Sequence, residues 1–249
     1  MTKEQLKWEK WHDSLTVFEG WLKEDHGALA RSWWAYLYSL LLGEIATLSP
    51  SSGICLDVGC GGGWHLSGVI RNSYFEGIGL DPLKSSLKQF RDNAKRGSLY
   101  KKISLIQGVG EYLPIREDCI QLCYIAGSLD HVSSTKQTIG EFRRVLEPQG
   151  NLIVLETALL RKGKGFYDDT HVSQFTSETL KATLKGFNIK KSLKKVPVFS
   201  QLFLPDRLLD FSLIHQMLGR LPGTIGVYFN YSEIVIECKK TPSNTKKRM

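Results

Sequence analysis

The chain has 249 residues, 42% of them hydrophobic and 23% charged, enough to close one sizeable core at the upper end of a single domain. That composition excludes a disordered chain, a collagen and a coiled coil. The net charge of +8 sits in one part only: residues 1–150 carry 17 Lys and Arg against 17 Asp and Glu, whereas residues 151–249 carry 16 against 8. Such a basic stretch either attracts nucleic acid, anionic lipid or an anionic small molecule, or forms a solvated face.

The opening MTKEQLKWEKWHDS is polar and mixed in charge, without the apolar core of a secretory signal, and a cytoplasmic protein is expected. Trp8, Trp11, Leu15, Phe18 and Leu22 recur at spacings of three and four, the stripe of an amphipathic helix. A second apolar helix is expected from about Leu29 to Leu48, ended by the breakers Ser49, Pro50, Ser51, Ser52 and Gly53. Its longest apolar run, Trp33 to Leu42, meets Gly43 and Glu44, well short of the roughly 20 residues that span a bilayer, so no membrane span is expected. Trp8, Trp11, Trp21, Trp33 and Trp34 all fall in this helical cap over residues 1–50. They serve either as an aromatic lid over a ligand or as a packing face.

From residue 54 short β-branched runs alternate with helical patterns, as in a parallel sheet with crossover helices. Strands are expected at Ile54–Val58, Phe75–Leu80, Ile103–Ile106, Gln121–Ile125 and Leu152–Glu156, with helices at Trp64–Arg71, Leu83–Lys95 and Thr135–Leu146, the last closed by Pro148 and Gly150. The fold class is α/β, doubly wound and Rossmann-like. After a loop at Arg161–Gly165, a helix capped by Thr176 or Ser177 is expected over Thr176–Lys185, then strands at Asn188–Leu193 and Glu233–Cys238. Residues 196–226 between those strands read as a helical insertion within a core spanning residues 51–240, and residues 241–249 as a disordered basic tail. Cys55, Cys60, Cys119, Cys123 and Cys238 are odd in number and form no C-x-x-C pair; they read as buried thiols, with neither a disulfide framework nor a metal site.

The most informative stretch is Ile54-Cys55-Leu56-Asp57-Val58-Gly59-Cys60-Gly61-Gly62-Gly63, an apolar strand running into glycines and then a helix. A strand that turns straight into a helix with its backbone against a ligand leaves no room for Cβ. Asp81, closing Gly77-Ile78-Gly79-Leu80-Asp81 at the end of the next strand rather than in the core, can accept hydrogen bonds from both hydroxyls of a ribose. Together they define a nucleoside site. Trp64 stands where a dinucleotide fingerprint carries its third glycine. Asp57, two residues before the first glycine, would repel a pyrophosphate and suits a ligand with an ammonium and a sulfonium. The pair favours S-adenosylmethionine over NAD.

In LDVGCGGGW, GIGLDP, GVGEYLPIREDCIQLCYIAGSLDHV and EFRRVLEPQGNLIVLE, covering residues 54–156, the chain resembles the class I S-adenosylmethionine-dependent methyltransferases, in particular the small-molecule group called type 11 or 12. His171-Val172-Ser173-Gln174-Phe175-Thr176 with the later Gly186-Phe187 is similar to a further H-x-x-x-F-T…G-F pattern of that group. The resemblance implies a seven-stranded, mostly parallel sheet with an antiparallel last strand. It also implies that Asp57, Gly59, Cys60 and Gly61 surround the methionine end of the cofactor, that Asp81 and Pro82 flank the ribose, and that Val109, Gly110, Glu111 and Ala126 complete the cofactor site. Val109 stands where the group usually has an acid for the adenine amine, and Gln121 where it usually has an Asp. No N/D-P-P-Y/F segment follows, which argues against methylation of a base amine in DNA or RNA.

Methyl transfer from a sulfonium is an in-line displacement, so the protein mainly orients a nucleophile and excludes water. An alcohol or phenol also needs a base. His131, beside Asp130 just past the fourth strand, is the first candidate for a base or substrate contact, and His171, with Asp168 and Asp169 near it, the second; each could instead cap or fix a loop. Trp33, Trp34 and Tyr36 could close over the sulfonium. The reading is a methyltransferase acting on a small-molecule acceptor, with oxygen the expected atom. The alternatives are an RNA or protein methyltransferase, suggested by the basic final third, and a catalytically weak scaffold, suggested by Val109 and Gln121.

Overall fold

The computed structural model describes residues 41–48, 52–159, 171–195 and 231–241. The expected first helix, the aromatic cluster at Trp33, Trp34 and Tyr36, Asp168 and Asp169, the 196–226 insertion and residues 242–249 lie outside them.

Sequence order and sheet order differ in a way that creates the site. The elements run β1 (Ser52–Val58), α1 (Trp64–Arg71), β2 (Tyr74–Asp81), α2 (Lys84–Arg96), β3 (Ile103–Gln107), β4 (Ile120–Ala126), a 3-10 turn (Leu129–His131), α3 (Thr135–Val145), β5 (Leu146–Leu159), β6 (Phe175–Thr176), α4 (Ser177–Thr183), β7 (Phe187–Lys195) and β8 (Tyr231–Lys240). In space the strands lie β3-β2-β1-β4-β5-β8-β7, with the two-residue β6 off this path against β5. The chain winds outward from β1 to β3, then returns to β1's other side with β4. In an open α/β sheet ligands bind at the carboxyl ends of the strands where the order reverses, here between β1 and β4. The last strand is antiparallel, as expected; it pairs with both β5 and β7 and so is enclosed between them.

The strand residues alternate between two cores with period two. Leu56 and Val58 of β1, Cys123 and Ile125 of β4 and Leu152 and Val154 of β5 pack with Ile139, Phe142 and Leu180 of α3 and α4 on one face. Cys55, Leu122, Tyr124, Ile153 and Leu155 pack with Leu66, Ile70, Leu87 and Phe90 of α1 and α2 on the other. Residues 41–45 are helical, and Leu41, Ile45 and Leu48 are buried in that second core. Glu44 of this turn forms an ion pair with Lys191 of β7 at 2.7 Å. All five cysteines are free thiols. No helix among the described residues is long and apolar enough to cross a membrane.

One local reading changes, and one is settled between its two alternatives. The expected break at Pro148 and Gly150 is a bulge inside a longer strand: Leu146 pairs with Ile120 and Asn151 with Leu122, and Gln149 takes φ +68° between them, a turn that lets pairing resume at once. Thr176 is the cap of α4, in a reciprocal capping box with Thr179, and belongs as well to the short β6.

Candidate active site

The glycine turn after β1 folds against the end of β2. The amides of Gly59 and Cys60 both donate to the Leu80 carbonyl, at 2.8 and 3.0 Å, and the Gly61 amide donates to Asp81 Oδ2 at 2.9 Å. Asp81 Oδ1 accepts from the Leu83 amide at 2.8 Å. Asp81 is therefore at a strand end, as the sequence indicates, but only 6% exposed and tied to the turns on both sides, which the sequence did not indicate.

The glycines of this turn do different jobs. Gly63 has φ +82°, and a Cβ there would land on the Phe90 ring of α2; it performs the close helix packing assigned in dinucleotide sites to the residue that here is Trp64. Gly61 has φ +49° and open space where a Cβ would project, and Gly127, at the end of β4, shares both properties with φ +60°. Two bare backbone turns thus face open space across the switch point, a cradle into which a ligand can press without meeting side chains.

Below the cradle lies Asp57, 1% exposed. It sits directly across the sheet from Tyr124, whose hydroxyl donates to Asp57 Oδ2 at 2.9 Å. Burial pushes the Asp57 carboxyl up to about 8, the Tyr124 hydrogen bond opposes this, and the neighbouring Asp81 adds to it. A buried acid held near neutrality in this way is suited to meet a cation. Cys60 turns its thiol inward, where it would touch a Cβ on Gly79 and donates to the Gly61 carbonyl at 3.8 Å, and burial raises its pKa. Pro82 offers its carbonyl to Gln107 Nε2 at 3.1 Å.

On the adenine side of the expected site, Gly110 lies against Val58 and Thr138, and Glu111 Oε1 accepts from the Ser134 amide at 3.1 Å. Glu111 thus fixes the Val109–Glu111 loop beside the start of α3. Gln121 sits at the other end of the sheet, accepting from the Ile54 amide and donating to Glu147 Oε2 at 2.7 Å. Its substitution for the usual acid is a matter of strand packing, remote from the cradle.

The two candidate histidines, 40 residues apart in sequence, come together. Asp130, 2% exposed, places Oδ1 at 3.6 Å from His131 Nε2 and Oδ2 at 3.4 Å from His171 Nε2, and the two imidazole centroids are 4.6 Å apart. The segments are clamped by backbone bonds: the amides of Val172 and Ser173 donate to the Asp130 carbonyl at 2.8 and 3.0 Å. Buried Glu156 of β5 accepts from the Leu129 amide at 2.8 Å and the Thr157 amide at 2.9 Å. Ser128 Oγ, two residues before Asp130, reaches the Gly59 carbonyl at 3.5 Å and the Ala126 carbonyl at 3.4 Å, joining this cluster to the cradle. Sequence reasoning missed Tyr124, Ser128 and Glu156. Strand register alone, pairing Asp57 with Tyr124, could have found the first.

Residues 56–154 match the family described as "Methyltransferase domain". Over these residues the chain is similar to that family. A curated relative, the methyltransferase GfsG of Streptomyces halstedii, is 26% identical over 114 residues, a match covering 46% of this chain and 40% of that protein's length. The fold of the methyltransferase domain is shared by the (4+2)-cyclase SpnF, with TM-score 0.63, 20% identity and coverage of 82% of this chain and 81% of that one. It is shared also by a geranyl diphosphate C-methyltransferase from Streptomyces coelicolor A3(2), solved with Mg²⁺, geranyl-S-thiolodiphosphate and S-adenosyl-L-homocysteine, with TM-score 0.63, 10% identity and coverage of 82% and 75%.

Proposed function

We propose that this protein transfers a methyl group from S-adenosylmethionine to an oxygen of a small molecule. The observation that carries the reading is the adjacency of two half-sites on one sheet edge: the glycine cradle over Asp57 and Asp81, and the Asp130–His131–His171 cluster joined to it through Ser128 and Gly59. The chain's residues fit the cofactor. Gly61 and Gly127 leave backbone room for it, Asp81 offers a carboxylate at the end of β2 to the ribose, and Asp57 offers an acid to the cationic methionine end. S-adenosylmethionine supplies an electrophilic methyl group on its sulfonium.

What the chain contributes is placement and proton handling. The cradle fixes the donor, and the histidine cluster stands where an acceptor approaching along the same edge would meet it. Asp130 orients the imidazoles, one of which takes the proton of the acceptor hydroxyl as the bond to carbon forms. Gln121's place in strand packing supports an active domain over a scaffold, and the missing N/D-P-P-Y/F segment supports a small molecule over a nucleobase amine.

The test is a panel of hydroxylated small molecules incubated with S-adenosylmethionine, read by release of S-adenosylhomocysteine and by mass increase of the acceptor. Turnover on an alcohol or phenol, lost in His131→Ala and His171→Ala with cofactor affinity retained, supports the reading. Methylation confined to tRNA, accompanied by salt-sensitive tRNA binding, would replace it.

A further inference from the structure

We propose that Asp130, His131 and His171 form a binding site for a single divalent transition-metal ion of the zinc class, with an open coordination position on the acceptor side. Their ligand atoms all lie within 4.8 Å of one another. The separations are those of ligands around an ion more than those of charge-assisted hydrogen bonds, which run at about 2.7–2.9 Å. Two ligands each about 2.1 Å from an ion at tetrahedral angles stand roughly 3.4 Å apart; Oδ1 of Asp130 lies 3.6 Å from His131 Nε2 and its Oδ2 3.4 Å from His171 Nε2, so each imidazole stands near that spacing from one oxygen of the shared carboxylate.

The donor set selects the metal. Two imidazoles and one carboxylate suit zinc, iron, cobalt or nickel, whereas magnesium and calcium favour all-oxygen shells. Three protein ligands leave a fourth position for water or substrate, the pattern of catalytic sites. The surroundings are built for rigidity. Asp130 is buried, its carbonyl holds the His171 segment through two amides, and Glu156 holds the turn that carries Asp130 and His131. Solvent still reaches the histidine side, where the side chains are 12% and 22% exposed.

The inference deepens the proposed function and rests on its claim that this cluster faces the acceptor. With an ion bound, both Nε2 atoms are ligands, and the cation in place of an imidazole makes a coordinated hydroxyl more acidic, so that its proton passes to solvent on the exposed histidine side before the alkoxide takes the methyl group. Acceptors with two adjacent oxygens, such as a catechol or an α-hydroxy ketone, would chelate it by expanding the shell from four to five ligands and so define the substrate class.

The test uses untagged full-length protein stripped with a chelator and titrated with Co²⁺, read by its visible absorption, with Zn²⁺ competition. The expected result is one ion per chain, with binding weakened at least about tenfold in both His131→Ala and His171→Ala and unchanged in Cys119→Ser. A wild-type chain that takes up no Co²⁺, or histidine variants that bind it as tightly, would overturn the inference. If metal is absent but turnover still depends on both histidines, the metal site fails and the proton-acceptor reading stands. If metal binds at the histidines and no hydroxylated acceptor is methylated, the site stands and the proposed function fails.

Discussion

The two halves of the sheet's carboxyl edge are built in opposite ways. The half proposed to hold the cofactor is local and backbone-made: Asp57 to Asp81 spans one β-turn-α-β unit, its buried acid Asp81 bonded to the amides of Gly61 and Leu83. The half proposed to meet the acceptor is non-local and side-chain-made, with Asp130 and His131 from the turn after β4 meeting His171 from the approach to β6. A backbone-made half can be recognised from spacing and should tolerate little substitution. A side-chain-made half carries its chemistry on few atoms, so it can lose function while keeping its shape.

The largest expected effect tests that division. His131→Ala should lower turnover by about 10²–10⁴-fold, the usual contribution of a positioned proton acceptor, and leave the dissociation constant for S-adenosylhomocysteine unchanged in calorimetry. Cofactor affinity falling in parallel with turnover would show that the halves act as one unit.

Next come two glycines in the same turn. Gly63→Leu puts a side chain at φ +82° onto the Phe90 ring; left-handed strain of about 1–2 kcal/mol and overpacking of about 1–3 kcal/mol give a loss of roughly 3 kcal/mol. For a chain of this size that is a fall in melting temperature of about 6–12 °C. Gly61→Ala meets open space at φ +49° and should cost stability only the strain of about 1 kcal/mol, yet weaken cofactor binding tenfold or more. Equal melting curves for the two would contradict the separation of packing glycine from cradle glycine.

How much of this was legible follows from the same contrast. Asp57, Gly59, Gly61 and Asp81 could be singled out because a strand end, a tight turn and the next strand end impose fixed spacings on one short segment. His131 and His171 could each be singled out by their place after a strand and in a short pattern, but not as a pair. Only the positions of β4, β5 and β6 in the sheet bring them onto one carboxylate. Asp130 was noticed as a neighbour of His131, and its role as the shared centre depends on tertiary contact. The start of β5 at Leu146 was hidden by Pro148 and Gly150, which mark a bulge as readily as a break.

A smaller effect is expected at Asp81. Asp81→Ala removes a charged acceptor, and hydrogen bonds to charged groups are worth about 1.5–3 kcal/mol each, so cofactor affinity should fall at least about tenfold. Because the carboxylate also holds the Gly61 and Leu83 amides, the melting temperature should fall with it. An unchanged melting temperature would mean that those two bonds contribute nothing to the fold, and unchanged affinity would remove Asp81 from the cofactor site.

The subtlest comparison is the pH dependence of the cradle floor. Asp57 is raised to about 8 chiefly by burial, and it faces Tyr124, Asp81 and the thiols of Cys55, Cys60 and Cys123. A cationic ligand favours the ionised carboxylate, so its binding releases a proton, and affinity through Asp57 should rise with pH by up to about tenfold per unit below 8 and level off above. The ligand's own amino group titrates near about 7.7–8.0, so the quantity to measure is the ratio of wild-type to Asp57→Asn affinity, in which that ionisation cancels. The stability sign is opposite. Between its ordinary value of 3.8 and about 8 the folded state holds more protons than the unfolded one, so wild-type stability relative to Asp57→Asn should fall as pH rises through that window and stay flat beyond it. Tyr124→Phe removes the hydrogen bond that lowers Asp57 and should move both midpoints upward. An affinity ratio independent of pH from 6 to 8 would mean that Asp57 is already ionised in the free protein, held by polar contacts stronger than the one Tyr124 supplies.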